Sequence, residues 1–175
     1  MTETTDDVEA MARAQLLNRL TELKIDAQIV PYPAHSTVEE GKQLRGQMSG
    51  TFTKNLLLKD KKSHLFLLAV HEDATVDLRT LHTRIGAQGR LGFASADLMV
   101  DLLGVGPGTL TPLALMNDTE NVVTLVLDSS LLHADQINFH PMAHTESIGI
   151  TPVQLTKFLE ACQHLPLTIA FDQLS

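Results

Sequence analysis

The 175-residue chain has one cysteine, no tryptophan, and no apolar run approaching the roughly 18 residues that a membrane-spanning helix needs. The single thiol, Cys162, cannot close an internal disulfide, so a reducing cytoplasm is the expected setting. Its surroundings, QLTKFLEACQH, read as a helix, which makes it a structural thiol and not a nucleophile. The opening residues, MTETTDDVEAM, are acidic and lack the basic-then-apolar order of a signal peptide. No GxxxxGK[ST] run cradles a nucleotide phosphate, no GxGxxG opens a helix, and no GxSxG elbow presents a serine. Neither HExxH nor CxxC occurs; His140 and His144 have i,i+4 spacing, but Pro141 lies between them and works against a helix that would carry both. No serine, cysteine or carboxylate pair advertises covalent catalysis.

Positive charge is also scarce, 13 Lys and Arg against 21 Asp and Glu, a net of −8. That balance argues against a protein that coats a long duplex. The cations are not spread evenly, however. Residues 42–90 hold nine of them (Lys42, Arg45, Lys54, Lys59, Lys61, Lys62, Arg79, Arg84 and Arg90) against four acids, while both flanks are net negative. A basic island on an acidic chain suits a short, local piece of nucleic acid; a merely solvated basic face is the alternative.

What is there is a foldable pattern. With 43% hydrophobic residues the chain can bury one core, so a single domain is expected, residues 8–175 behind a flexible tail at 1–7. Asp6 with Glu9 resembles a capping box ahead of a helix running to about Lys24. AQIVPYP reads as a short strand, and Ser36 with Glu39 as the cap of a short helix ending near Gly46. SGTFT then reads as a loop, with Lys54 and Asn55 at the mouth of the strand KNLLLKD; a polar turn and HLFLLAV complete an interior hairpin. DLRTLHTRIGA reads as a helix, RLGFA as a strand, and ADLMVDLL as a helix capped by Ser95 and stopped by Gly104. The glycine-rich GVGPG leads into a strand interrupted by Pro112. NVVTLVLD, ADQINFHPM and ESIGI follow as strands, and Thr151 with Pro152 opens the last helix. Helices interleaved with hairpins, without strict βαβ alternation, point to an α+β domain around a central mixed sheet.

Three local features set a polar group beside an apolar strand: Thr53-Lys54-Asn55, Gly104 to Gly108, and Asn138-Phe139-His140-Pro141. Singly each is unspecific. Together, TKNLLLKDKK, LGVGPGTLTPLALMND and INFHPM stand in the order and spacing of the YbaK-like aminoacyl-tRNA editing family, which includes the domain inserted in bacterial prolyl-tRNA synthetases. PAHSTVEEGKQLRG, RLGFAS and the long final helix narrow the resemblance to the freestanding prolyl-tRNA deacylases that edit alanyl-tRNA(Pro). It covers about residues 8 to 171.

That resemblance implies a largely antiparallel, barrel-like sheet surrounded by helices, and an enzyme that hydrolyses the ester of mischarged tRNA in trans by substrate assistance. Its functional lysine would be Lys54, with Asn55 beside it, His140 the histidine of the FHP motif, and Gly106 and Gly108 in the glycine loop. Thr53, Lys42, Arg45, Asn138, Phe139 and His144 would contact substrate. The implied partner is the tRNA(Pro) acceptor end, with prolyl-tRNA synthetase as a further one and neither DNA nor a membrane; no metal and no cofactor is called for. His144 departs from the group, which usually has asparagine there. Clearing of cysteine, serine or threonine from tRNA is the sister reading, and a non-catalytic tRNA- or synthetase-binding module the third.

Overall fold

A computed structural model of the chain describes residues 4–31, 43, 49–143 and 146–172. Of the helix expected between Ser36 and Gly46, Gln43 alone is among the described residues, and it is helical; Lys42, Arg45 and His144 lie outside them. In chain order the elements are α1 (Thr5–Glu22), β1 (Gln28–Pro31), β2 (Thr51–Lys59), β3 (Leu65–His71), α2 (Leu78–Ile85), β4 (Gly92–Phe93) and α3 (Ala96–Leu103). A 3-10 segment at Pro112–Asn117, β5 (Val123–Asp128), a second 3-10 segment at Ser129–His133, β6 (Ile137–Phe139), β7 (Glu146–Ile150), α4 (Pro152–Ala161) and β8 (Leu167–Ile169) follow.

The leucine-rich hairpin is the centre of the sheet because both of its faces find cover. Side chains alternate across a strand, and here the alternation sorts them into two clusters. Leu57, Leu65, Leu67, Ala69, Leu125 and Leu127 pack on one face with α1, α3 and α4 residues such as Leu16, Leu103 and Phe158. Leu58, Phe66, Leu68, Val70 and Val126 pack on the other with Leu81 and Ile85 of α2. Continuous hydrophobicity in these strands is thus the signature of burial from both sides. The strand order is β1-β7-β6-β2-β3-β5-β8, with β4 attached to β2, and the sheet is mixed: β2–β6, β3–β5 and β5–β8 are parallel, the rest antiparallel.

Local chemistry fixes the ends. Ser95 accepts from Leu98 N–H to start α3, and Gly104, at φ 71°, ends it in the left-handed region that glycine enters without penalty. Thr151 and Gln154 form a reciprocal box at α4, with Pro152 in its first turn. The hairpin turn closes around Asp60. Its carboxylate accepts from the N–H groups of Lys62 and His64 at 2.9 Å and of Gln88 at 2.8 Å, and lies 2.9 Å from the His64 ring. Burial alone would push this carboxyl up; the hydrogen bonds from Gln88, His64 and Lys62 outweigh it and hold it at about 2.

Four expectations are corrected. The capping box of α1 is Thr4 with Asp7, not Asp6 with Glu9, so the helix enters the stretch read as a tail. TFT is strand, so Lys54 is the fourth residue of β2 and does not stand at its mouth. Pro112–Asn117 is a buried 3-10 helix where a strand was expected: the Thr111 side chain accepts from Leu113 N–H, Pro112 suits a first turn, and Leu-Ala-Leu-Met coils readily behind it. RLGFA contributes only Gly92 and Phe93 to the sheet, and β8 has no forerunner in the reading of the sequence.

Candidate functional site

The site is built from a change of neighbours along β2. At its start Thr51 and Phe52 pair with Ile137 and Asn138 of β6; at its end Leu58 and Lys59 pair with Phe93 and Gly92 of β4. From Thr53 to Leu57 the ladder continues only on the β3 side. Thr51 N–H donates to Gln136 C=O at 2.8 Å and Leu57 C=O accepts from Ala94 N–H at 2.9 Å, both away from β3, whereas Phe52 C=O accepts from Glu72 N–H at 3.0 Å on the β3 side. Odd-numbered residues of β2 therefore turn their backbone groups outward. The N–H and C=O of Asn55 aim into the opening between β6 and β4, where no strand of the described residues runs.

Thr53, Asn55 and Leu57 share one face of β2. Asn55 Nδ2 donates to Thr53 Oγ1 at 3.4 Å, and Thr53 Oγ1 donates to the Asn138 carbonyl at 3.0 Å. Asn55 Oδ1 is buried and has no hydrogen-bond partner. Such an acceptor costs about 1–3 kcal/mol to leave unpaired, and this one lies next to an open strand edge.

Asn138, read from the sequence as a substrate contact, is 2% exposed and committed to the scaffold. Its Nδ2 donates to Ser49 C=O at 2.9 Å and its Oδ1 accepts from Gln136 Nε2 at 3.1 Å, and Gln136 also holds Ser49 C=O at 3.1 Å. This clamp fixes the chain as it enters β2. Gly50 is required there: its φ is +103°, and a Cβ would stand 2.7 Å from Gln136 O. Phe139, 3% exposed, belongs to the core cluster with Leu57 and Ile137.

Lys54 lies on the opposite face from Asn55, as consecutive strand residues must. Its half-buried Nζ donates to Ala74 C=O at 2.5 Å, on the turn after β3 that is closed by Ala74 N–H donating to His71 C=O at 2.9 Å. An ammonium carries three donors, so two remain for an anion. Continuing the alternation of β6 past Phe139 puts half-buried His140 on the Lys54 face. Lysine and asparagine thus flank the same strand edge from its two sides.

Gly106 and Gly108 form a β-turn with Pro107. Thr109 N–H donates to Gly106 C=O at 3.2 Å, and Gly108 at position three has φ +95°, the arrangement of a type II turn. Val105 and Leu110 anchor it in the cluster that holds Leu57 and Phe139, on the Asn55 side of the sheet. A Cβ at either glycine would meet nothing within 4 Å, so space lies open above both. Two clefts of about 490 and 510 Å3 lie elsewhere, one lined by Gln15, Arg19 and Cys162, the other by Thr124, Glu160 and Leu165. The first is lined largely by exposed side chains of α1 with buried Asp118, the second by Asn121, Thr124, Glu160 and Gln163 with buried His164, which is bonded to Asp118.

The sequence reading missed the groups that hold the site in place: Ser49, Gly50, Gln136 and the Ala74 carbonyl. Only Gly50 carried a local signal, in the small-residue run ahead of β2. The others act through backbone carbonyls or a lone amide, which no motif announces.

Residues 32–158 match the aminoacyl-tRNA editing domain family. The chain is 42% identical over 162 residues to prolyl-tRNA synthetase associated domain-containing protein 1 of Danio rerio, covering 91% of this chain and 88% of that one. It is 28% identical over 151 residues to the prolyl-tRNA editing protein ProX of Acetoanaerobium sticklandii, covering 86% and 92%. In fold it matches the solved structure of a candidate trans-editing enzyme for prolyl tRNA synthetase, with a TM-score of 0.68 and 18% identity over 93% of this chain and 98% of that one. The chain belongs to the aminoacyl-tRNA editing domain family, in the branch associated with prolyl-tRNA synthetase.

Proposed function

We propose that the chain is a trans-editing deacylase whose substrate is Ala-tRNA(Pro), releasing alanine and free tRNA. The observation that carries the reading is Asn55: a buried Oδ1 and an outward-facing amide that, among the described residues, have no partner, at the stretch of β2 flanked by β6 and β4. The ester of an aminoacyl-tRNA is already activated, and the vicinal ribose hydroxyl can position water. The protein then need supply only placement and hydrogen-bond donors for the developing oxyanion. Asn55 N–H is such a donor, the Gly106–Gly108 turn borders the same face, and Asn55 Oδ1 offers an acceptor to the substrate's ammonium or hydroxyl. Lys54 meets the terminal phosphate as a compact charge, and His140 shares its face. The editing name of the ProX relative supports hydrolysis, and the prolyl-tRNA synthetase association of the animal relatives supports that enzyme and its tRNA as partners.

The need for such an activity is energetic. A pocket for proline discriminates against smaller alanine by only about 1–3 kcal/mol for the missing methylenes, so a second site that admits the smaller residue is required. The sister reading, removal of cysteine, serine or threonine, keeps the same chemistry with another pocket wall; His144, where asparagine is usual, is what favours testing it. The experiment is deacylation of Ala-tRNA(Pro), Pro-tRNA(Pro), Cys-tRNA(Pro) and Ala-tRNA(Ala) by the wild type and Lys54→Ala. Release of alanine from tRNA(Pro) alone, lost in the variant, is the expected result. Release from another pair selects the sister reading, and no release from any leaves a binding module.

A further inference from the structure

Phe93 is 68% exposed, whereas every other described phenylalanine is buried or half-buried. Its placement is not a loose end. Leu91, two residues earlier, is buried in the cluster that contains Leu58, and Phe93 pairs directly with Leu58. The ring therefore stands on the face of β2 that carries Leu58, Leu56 and Lys54, beyond the cover of α2. Lys54 precedes Leu58 by four residues, so the ring sits about 13 Å along the strand from the lysine, with half-buried Leu56 between them.

Charge surrounds this strip. The Lys61 stem runs close over Gly89, where a Cβ would lie 2.8 Å from its Cδ, and Arg90 is exposed, while Lys59, paired with Gly92, stands on the other face of β2. Lys59, Lys61, Lys62 and Arg90 make no ion pair with any described residue. The hairpin's own carboxylate, Asp60, is 4% exposed and turned onto backbone donors. An exposed aromatic face rimmed by unpaired cations is the arrangement that takes single-stranded nucleic acid, by stacking a base and holding its phosphates.

We propose that Phe93 is the seat for a base of the single-stranded 3′ end of the substrate, roughly two nucleotides before the aminoacylated residue at Lys54, with Lys61 and Arg90 holding the adjoining phosphates. This rests on the reading of the chain as acting on the aminoacyl end of tRNA, and it adds a specificity element: the enzyme measures out an unpaired end before it reaches the ester.

The chain has no tryptophan, so Phe93→Trp installs a sole fluorophore at the seat. Titration with the trinucleotide CCA should quench it, and an abasic trinucleotide with the same phosphates should not. Phe93→Ala, at an exposed position, should keep the wild-type melting temperature, raise KM for aminoacyl-tRNA roughly tenfold or more, and leave hydrolysis of 3′-aminoacyl-adenosine, which has no upstream bases, unchanged. Equal quenching by the abasic analogue, no quenching, or equal loss on both substrates overturns the seat while the deacylase reading stands. If the wild type hydrolyses neither substrate, the deacylase reading fails by itself, and the fluorescence titration still decides: base-dependent quenching upholds the seat, its absence removes it.

Discussion

The ammonium of Lys54 is held by the carbonyl of Ala74 at 2.5 Å, across the hairpin from the strand edge that Asn55 faces. A lysine tethered by one of its three donors is positioned without being consumed.

Lys54→Ala should lower the deacylation rate by about 100-fold or more, the scale of losing one charge-stabilising donor. Its melting temperature should change little, because the tether is a single half-buried hydrogen bond worth about 1 kcal/mol. Lys54→Arg should recover part of the rate. A wild-type rate for Lys54→Ala would remove the lysine from the reaction.

Asn55→Leu should separate stability from activity. Asn55 Oδ1 is buried without a partner, and a near-isosteric apolar side chain relieves a penalty of about 1–3 kcal/mol. Chemical denaturation should show a protein at least as stable as the wild type, with deacylation lost. A clear destabilisation would mean that the oxygen is satisfied in solution and is structural.

The Asp60 carboxyl, held at about 2 against an ordinary 3.8, binds its proton less readily folded than unfolded. The stability it contributes is complete above about pH 4 and is lost as pH falls toward 2. Asp60→Asn should therefore be less stable than the wild type at pH 7, and the gap in urea midpoint should narrow as pH is lowered through this window. A gap that stays constant with pH would contradict the assignment.

Asp118 and His164 are both almost fully buried and meet at 2.8 Å; the other ring nitrogen lies 2.8 Å from Cys162 C=O, and Val122 and Val123 N–H donate to the carboxylate. The pair ties the start of β5 to the end of α4. His164→Leu leaves a buried carboxylate with backbone donors alone and should cost about 3 kcal/mol in denaturant unfolding. Loss of less than half of that would show that Val122 and Val123 suffice.

Gly50→Ala should destabilise by about 2 kcal/mol or more, combining a positive φ with a backbone contact of 2.7 Å. Deacylation should fall with it, because the Ser49–Asn138 clamp sets where β2 begins. A fully active, equally stable variant would mean that the entry to β2 can shift freely.

Much of this architecture was legible in the residues. Leucine runs announced β2 and β3, and the Ser95–Gly104 and Thr151–Pro152 signals placed α3 and α4 because caps act over three or four residues. Pro112–Asn117 misled because a short apolar run has no period long enough to tell coil direction; its Thr-Pro start was the overlooked cue. β8, Leu167–Ile169, is two exposed residues and one half-buried one, whose pairing with β5 is decided by tertiary contact. At the site, Lys54 and Asn55 stand together in the sequence, yet strand alternation places them on opposite faces, and the start of β2 at Thr51 sets them within the strand and not at its mouth. Lys42, Arg45 and His144 lie outside the described residues.

The opening along β2 is made by register and turns, by where β6 leaves and β4 arrives, and hardly at all by which side chains surround it. Features of that kind persist while sequences drift, which accords with a shared fold at 16–18% identity among solved relatives. It also means that side chains at the rim can be exchanged without moving the backbone groups that line the opening.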